Sequence, residues 1–88
     1  MRLDKFLKIS RIIKRRTLAK EVCDLGRATV NGRPAKAGTE VVPGDRLTIR
    51  FGNRTLEVEV LVVKENARVE EASSMYRVIA GVADGEGK

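Results

Sequence analysis

Between Leu3 and Ile13 apolar side chains recur at Leu3, Phe6, Leu7, Ile9, Ile12 and Ile13, with Arg2, Lys5, Lys8 and Arg11 set between them. That spacing predicts an amphipathic helix, strongest over residues 3 to 9, with one face seeking a core and the other cationic. After a polar break the pattern resumes with Leu18, Ala19, Val22 and Leu25 on one face. Thr17 stands where a hydroxyl N-cap is expected, and Gly26 where a left-handed residue closes a helix, so a second helix is predicted from about 18 to 25.

Beyond Gly26 the period becomes two. Asn31-Gly32, directly after Val30, suits the two positive-φ positions of a tight hairpin turn. A Pro43-Gly44-Asp45 turn precedes the alternation Leu47, Ile49, Phe51, in which Thr48 and Arg50 face the other way. After a Gly52-Asn53 turn, Leu56, Val58 and Val60 alternate again before the run becomes fully apolar. From Lys64 the pattern weakens: a short helix is predicted around Val69 to Met75, laying Ala72, Met75, Tyr76 and Ile79 on the body, and the last eight residues are expected to fray. The expected class is α+β, two N-terminal helices packed on a small, mainly antiparallel twisted sheet. Residues 1–63 form the domain, and residues 64–88 an extension of a short helix and a disordered tail.

Composition narrows what such a domain can do. At 88 residues, with 42% apolar and 34% charged, the chain is one folded domain with a modest core and no room for a separate catalytic unit. It has one cysteine and no histidine, so neither an intramolecular disulfide nor a multi-cysteine zinc site is available, and no neutral-pH proton shuttle exists. Cys23, on the face of Val22, reads as a small core hydrophobe. No catalytic pair, no metal site, no cofactor site and no phosphate loop emerges, so a non-enzymatic protein is expected. The N-terminus has no signal-type apolar core and no apolar run reaches a membrane span, which sets the expectation of a reduced, cytoplasmic protein; a monomer is expected as well.

The net charge of +6 is unevenly placed. Residues 1–20 hold eight Lys/Arg and one acid, a balance of +7, whereas residues 21–88 hold ten Lys/Arg and eleven acids, a balance of −1. Within residues 11–20, Arg11, Lys14, Arg15, Arg16 and Lys20 stand with no acid among them. A solvated helix face normally interleaves acids at i, i+4, and this one does not, so the cluster is matched to a polyanion. A membrane surface is the competing anion. It would require the face of Phe6, Leu7, Ile12 and Ile13 to be free, and a chain this small needs that face for its core. With only Phe6, Phe51 and Tyr76 as aromatics, all at core-like positions, base stacking has no platform. Contact is expected to be led by phosphates and shape, which suits structured RNA. The candidate RNA-binding residues are Arg2, Lys5, Lys8, Arg11, Lys14, Arg15, Arg16 and Lys20, supported by Asp4 and Thr17. Asp4, the one early acid, either compensates the first helix's dipole or holds an arginine such as Arg16 in place.

The order of motifs is also informative. RLDKFL (2–7), Arg16 ahead of a helix with Ala19 and a closing Gly26, ATVNG (28–32) and PGDRL (43–47) together resemble the S4 RNA-binding domain. This module is shared by a small-subunit ribosomal protein, tyrosyl-tRNA synthetases, pseudouridine synthases and a fifteen-kilodalton heat-shock protein. The resemblance spans about residues 1–63, and MRLDKFLKISRIIKRRTLAKEV and EEASSMY are similar to free-standing members that act in ribosome quality control. It implies binding to large ribosomal subunits that hold obstructed peptidyl-tRNA, contact with large-subunit ribosomal RNA and the tRNA, and support of alanine tailing by an RqcH-like factor. It also implies that Arg2 and Arg16 are RNA-contacting arginines, Asp4 the early acid and Lys20 the basic position of the second helix. One departure is Arg15, where the family commonly has Ser or Thr. A different class of function, a regulatory protein-interaction module using the tail and a sheet edge, is the alternative.

Overall fold

The computed structural model describes residues 1–52 and 54–82. Two helices, α1 (Leu3–Ile9) and α2 (Arg16–Asp24), precede a hairpin of β1 (Ala28–Val30) and β2 (Arg33–Pro34). The long strands β3 (Arg46–Phe51) and β4 (Arg54–Val60) follow, then α3 (Val69–Ala72), a 3₁₀ turn over Ser73–Met75, and β5 (Tyr76–Val82). The sheet order is β2-β1-β3-β4-β5, antiparallel at every step, so the class is α+β as expected.

Local chemistry explains most of these boundaries. The first-turn donors of α1 are taken by the chain that precedes β3: Leu3 N–H donates to Thr39 O at 2.8 Å and Asp4 N–H to Ala37 O at 3.1 Å. Helix α2 ends in a Schellman motif, with Gly26 N–H on Cys23 O and Arg27 N–H on Val22 O, both at 3.0 Å, and Gly26 at φ +75° supplies the left-handed step. Asn31 (φ 54°) and Gly32 (φ +82°) make the predicted hairpin turn.

Leu3, Phe6 and Leu7 of α1 and Ala19, Val22 and Cys23 of α2 meet Leu47 and Ile49 of β3 and Val58 and Val60 of β4 in one core. Phe6, Leu7, Leu47 and Ile49 are fully buried. The apolar face of α1 is therefore consumed by the core, and lipid insertion through Phe6, Leu7 and Ile13 would have to dismantle it. No helix among the described residues is long and apolar enough to cross a membrane.

Three expectations are corrected. Helix α2 begins at Arg16, and its N-cap position is Arg15 with no side-chain cap, so Thr17 lies inside the first turn and caps nothing. The helix near Val69 is a single turn with a 3₁₀ extension: Ala72 and Met75 are buried as expected, but Tyr76 and Ile79 belong to β5. The cause is tertiary, because residues 76–82 complete the sheet by pairing with β4, from Val60↔Tyr76 to Thr55↔Val82, with an irregularity at Glu57/Val58. Of the tail expected to fray, Gly81 and Val82 are in β5, and residues 83–88 lie outside the described residues.

Candidate nucleic-acid interface

At the start of α1 the backbone hands its donors to the loop before β3, so Asp4 is free to turn its carboxylate toward α2. It is 2% exposed. Oδ1 accepts from Arg2 Nε at 3.1 Å and from the Lys5 backbone N–H at 2.8 Å, while Oδ2 accepts from Arg16 Nε at 3.4 Å and, at the long limit, from Arg2 Nη2 at 3.5 Å. The geometry fits both roles open to Asp4: it stands in the first turn of α1 and accepts the Lys5 N–H there, and it holds Arg16, and Arg2 as well. Burial alone would raise the Asp4 carboxyl. The hydrogen bond from Arg2, the charges of Arg16 and Arg2 and the Lys5 N–H outweigh burial and hold it below the ordinary carboxylate range.

This arrangement orders two guanidiniums without neutralising them. One carboxylate faces two arginines, leaving a net charge of +1, and both side chains remain about half exposed. Gly38 lies beneath the Arg2 head, whose Cζ and Nη2 are 3.9 Å from where a Cβ would stand. The backbone before β3 thus forms part of the seat for Arg2.

The junction of the helices supplies the rest of the ridge. Helix α1 closes at Ser10, buried at 1%, whose Oγ donates to Leu7 O at 3.3 Å. The next residue, Arg11, is at φ 63°, a left-handed conformation that glycine or asparagine usually takes. Its N–H donates to Lys8 O at 3.1 Å, and Ile13 N–H reaches back to Leu7 O at 3.0 Å. The chain turns sharply there, and Ile13 drops into the core while Arg11, Lys14 and Arg15 stay exposed. Arg15 and Arg16 then flank the uncapped N-terminus of α2, whose N–H groups add partial positive charge.

The sequence expectations divide accordingly. Arg2 and Arg16 are joined through Asp4. Lys8, Arg11, Lys14 and Arg15 are exposed and take part in no ion pair among the described residues. Lys5 is drawn off: its Nζ pairs with exposed Glu65, whose carboxyl is lowered by that hydrogen bond. Lys20 has Asp24 one turn on at 3.9 Å, a loose exposed pair of little energetic weight. The acid-free run from 11 to 20 is therefore not free of acids in space, since Asp4 and Asp24 reach its Arg16 and Lys20. Sequence reading missed Glu65, Asp24 and Gly38. The i, i+4 spacing of Lys20 and Asp24 was a signal for the second, whereas nothing local pointed to the other two. Cys23 is buried as expected, and burial, then the charges of Asp4 and Asp24, push its thiol up to about 11.

Comparison with known proteins places this ridge inside a matched segment. The S4 domain model matches residues 1–47, which hold both helices, β1, β2 and the start of β3. The chain is 67% identical over 78 residues to the RQC P-site tRNA stabilizing factor of Halalkalibacterium halodurans, covering 89% of each chain. It is 57% identical over 79 residues to the protein of that name from Bacillus subtilis, covering 90% of this chain and 92% of the relative. Among solved structures, the trimeric structure of Vibrio cholerae Heat Shock Protein 15 superposes with a TM-score of 0.83 at 32% identity, over 91% of this chain and 82% of that one.

Proposed function

The chain belongs to the S4 domain family, in the branch of the RQC P-site tRNA stabilizing factors, and from that premise we propose that it is an RNA-binding factor of ribosome quality control. It acts on large ribosomal subunits that still carry an obstructed peptidyl-tRNA. It contacts large-subunit ribosomal RNA and the tRNA, and holds that tRNA in place while an RqcH-like partner extends the nascent chain with alanine. It works by binding, in the bacterial cytoplasm.

The observation that carries this reading is the buried Asp4 gripping Arg2 and Arg16. A guanidinium fixed in advance loses less freedom when it meets a phosphate, and its planar fork can engage two phosphate oxygens. Arg11, Lys14 and Arg15 extend the same cationic ridge along the helix junction. With no exposed aromatic among the described residues, such a ridge reads backbone shape rather than base identity, as a factor docking on folded RNA requires.

Crosslinking in cells tests the proposal. RNA recovered on the protein should map to large-subunit ribosomal RNA and to tRNA, and the crosslinked peptides should include residues 1–20. Recovery of a partner that survives nuclease treatment, with no RNA attached, would replace this reading with that of a protein-interaction module.

A further inference from the structure

Arg27, the residue just before β1, lies beside Arg50 of β3. The Arg50 backbone N–H donates to Arg27 O at 2.9 Å, one step beyond the Ala28↔Ile49 pair of β1 and β3. Residues opposed in this way project from the same face of a sheet, side by side. Ile49, next to Arg50 in β3, points into the core, so this is the face turned away from α1 and α2, and both arginines are exposed.

Opposed like charges weaken a strand pair. Elsewhere on the same face the chain avoids them: Arg46 pairs with Glu57 at 3.6 Å, and Arg77 pairs with Glu59. At the Arg27 end, the β4 residue opposite Arg50 is Thr55, and neither arginine takes part in an ion pair among the described residues. The next opposed pair along the strands is Thr29↔Thr48. The balance of −1 over residues 21–88 hides this patch, because the acids of the same face, Glu57 opposite Thr48 and Glu59 opposite Arg46, are engaged by Arg46 and Arg77.

We propose that Arg27 and Arg50, with Thr29 and Thr48 beside them, form a second RNA-backbone contact on the outer face of the sheet. The inference rests on the RNA-binding reading above and extends it, because a layer of helix and sheet separates this patch from the Asp4 ridge. The domain then bridges two RNA segments and does not follow a single one. RNA is favoured over an acidic protein by the neighbours. A protein interface centres on apolar or aromatic anchors, whereas here the arginines are bordered by Thr29, Thr48 and Thr55, whose hydroxyls suit phosphate and ribose oxygens, and the adjacent Glu57 is engaged by Arg46.

The test is the full chain carrying Arg27→Ser and Arg50→Thr, titrated by fluorescence anisotropy with bulk tRNA and with purified large-subunit ribosomal RNA across a range of KCl. For at least one of these RNAs, affinity should fall roughly ten-fold. The slope of log K against log salt should become shallower by about 1.4 to 1.8, as expected for two lost phosphate contacts. The loss should add to that of Arg16→Ala, because the surfaces are separate. Removing a like-charge pair should leave the melting temperature unchanged or raised. If it falls, Arg50→Glu decides, since it gives Arg27 a cross-strand partner and must still weaken binding. Unchanged affinity and slope for both RNAs overturn the proposal. So does unchanged binding to naked RNA with lost cosedimentation on intact large subunits, which would assign the pair to a ribosomal protein's carboxylates. A wild-type titration that is flat with salt would instead remove the RNA-binding reading itself, together with this extension.

Discussion

Asp4→Asn separates position from charge. The carboxylate is 2% exposed and accepts from Arg2 Nε at 3.1 Å, Arg16 Nε at 3.4 Å and the Lys5 N–H at 2.8 Å. Asparagine has the same shape and keeps one oxygen for Lys5, but it sets an NH₂ donor against a guanidinium donor. A hydrogen bond to a charged group contributes about 1.5–3 kcal/mol when buried. Both guanidiniums here are about half exposed, so water recovers much of that and the net cost is about 1–2 kcal/mol. For a domain of this size, that lowers the melting temperature by roughly 5 to 15 °C. The variant also makes the ridge more positive by one charge. If charge alone governed RNA binding, Asp4→Asn would bind tighter. If fixed arginines govern it, re-ordering two freed side chains costs about 0.5–1.5 kcal/mol each. Partly offset by the added charge, this leaves binding roughly ten-fold weaker. Anisotropy with tRNA at fixed salt, well below the melting temperature, reads the difference. Binding equal to or tighter than wild type would refute the positioning role of Asp4.

Three further outcomes follow from the same geometry. Because the folded Asp4 carboxyl lies below its ordinary value of 3.8, its stabilisation is fully present above that value and is lost as pH falls through the lowered one. Acid melts of wild type should therefore fall more steeply below about pH 4 than those of Asp4→Asn, the two curves converging. Arg11→Gly should relieve the left-handed strain and raise stability by about 1 kcal/mol in a urea titration. The same change should flatten the salt slope of RNA binding by about 0.7–0.9, and a variant that gains stability without losing slope would remove Arg11 from the ridge. Cys23, buried with its thiol pushed up to about 11, should react with a thiol reagent at pH 8 only at the rate of unfolding, and rapid labelling of native protein would contradict its placement.

Where the determinants are local, the sequence was legible. Helix α1 matches its apolar spacing, Gly26 closes α2 through a Schellman motif, and Asn31-Gly32 turns the hairpin, since each depends on residues within one turn of chain. The start of α2 was not legible, because Arg15 offers no capping group and Thr17 offered a misleading one. Strand β5 was hidden for another reason. Its first residues continue a helical spacing from Ala72, and only the free edge of β4, distant in sequence, makes them a strand. The candidate site divides along the same line. The cations were visible as a run, whereas their partners were not: Asp4 is twelve residues from Arg16, and Glu65 is sixty from Lys5. The Arg27 and Arg50 pair depends on strand register alone, and a charge count along the chain averages it away.

On this reading the ridge of α1, α2 and their junction binds RNA phosphates. The salt dependence of binding to large ribosomal subunits, wild type against Arg16→Ala, decides whether it does. With about five phosphates neutralised by the ridge, log K should fall against log salt with a slope of about −3.5 or steeper, and Arg16→Ala should make it shallower by about one unit. A wild-type slope near zero, or a slope that Arg16→Ala leaves unchanged, would contradict the claim.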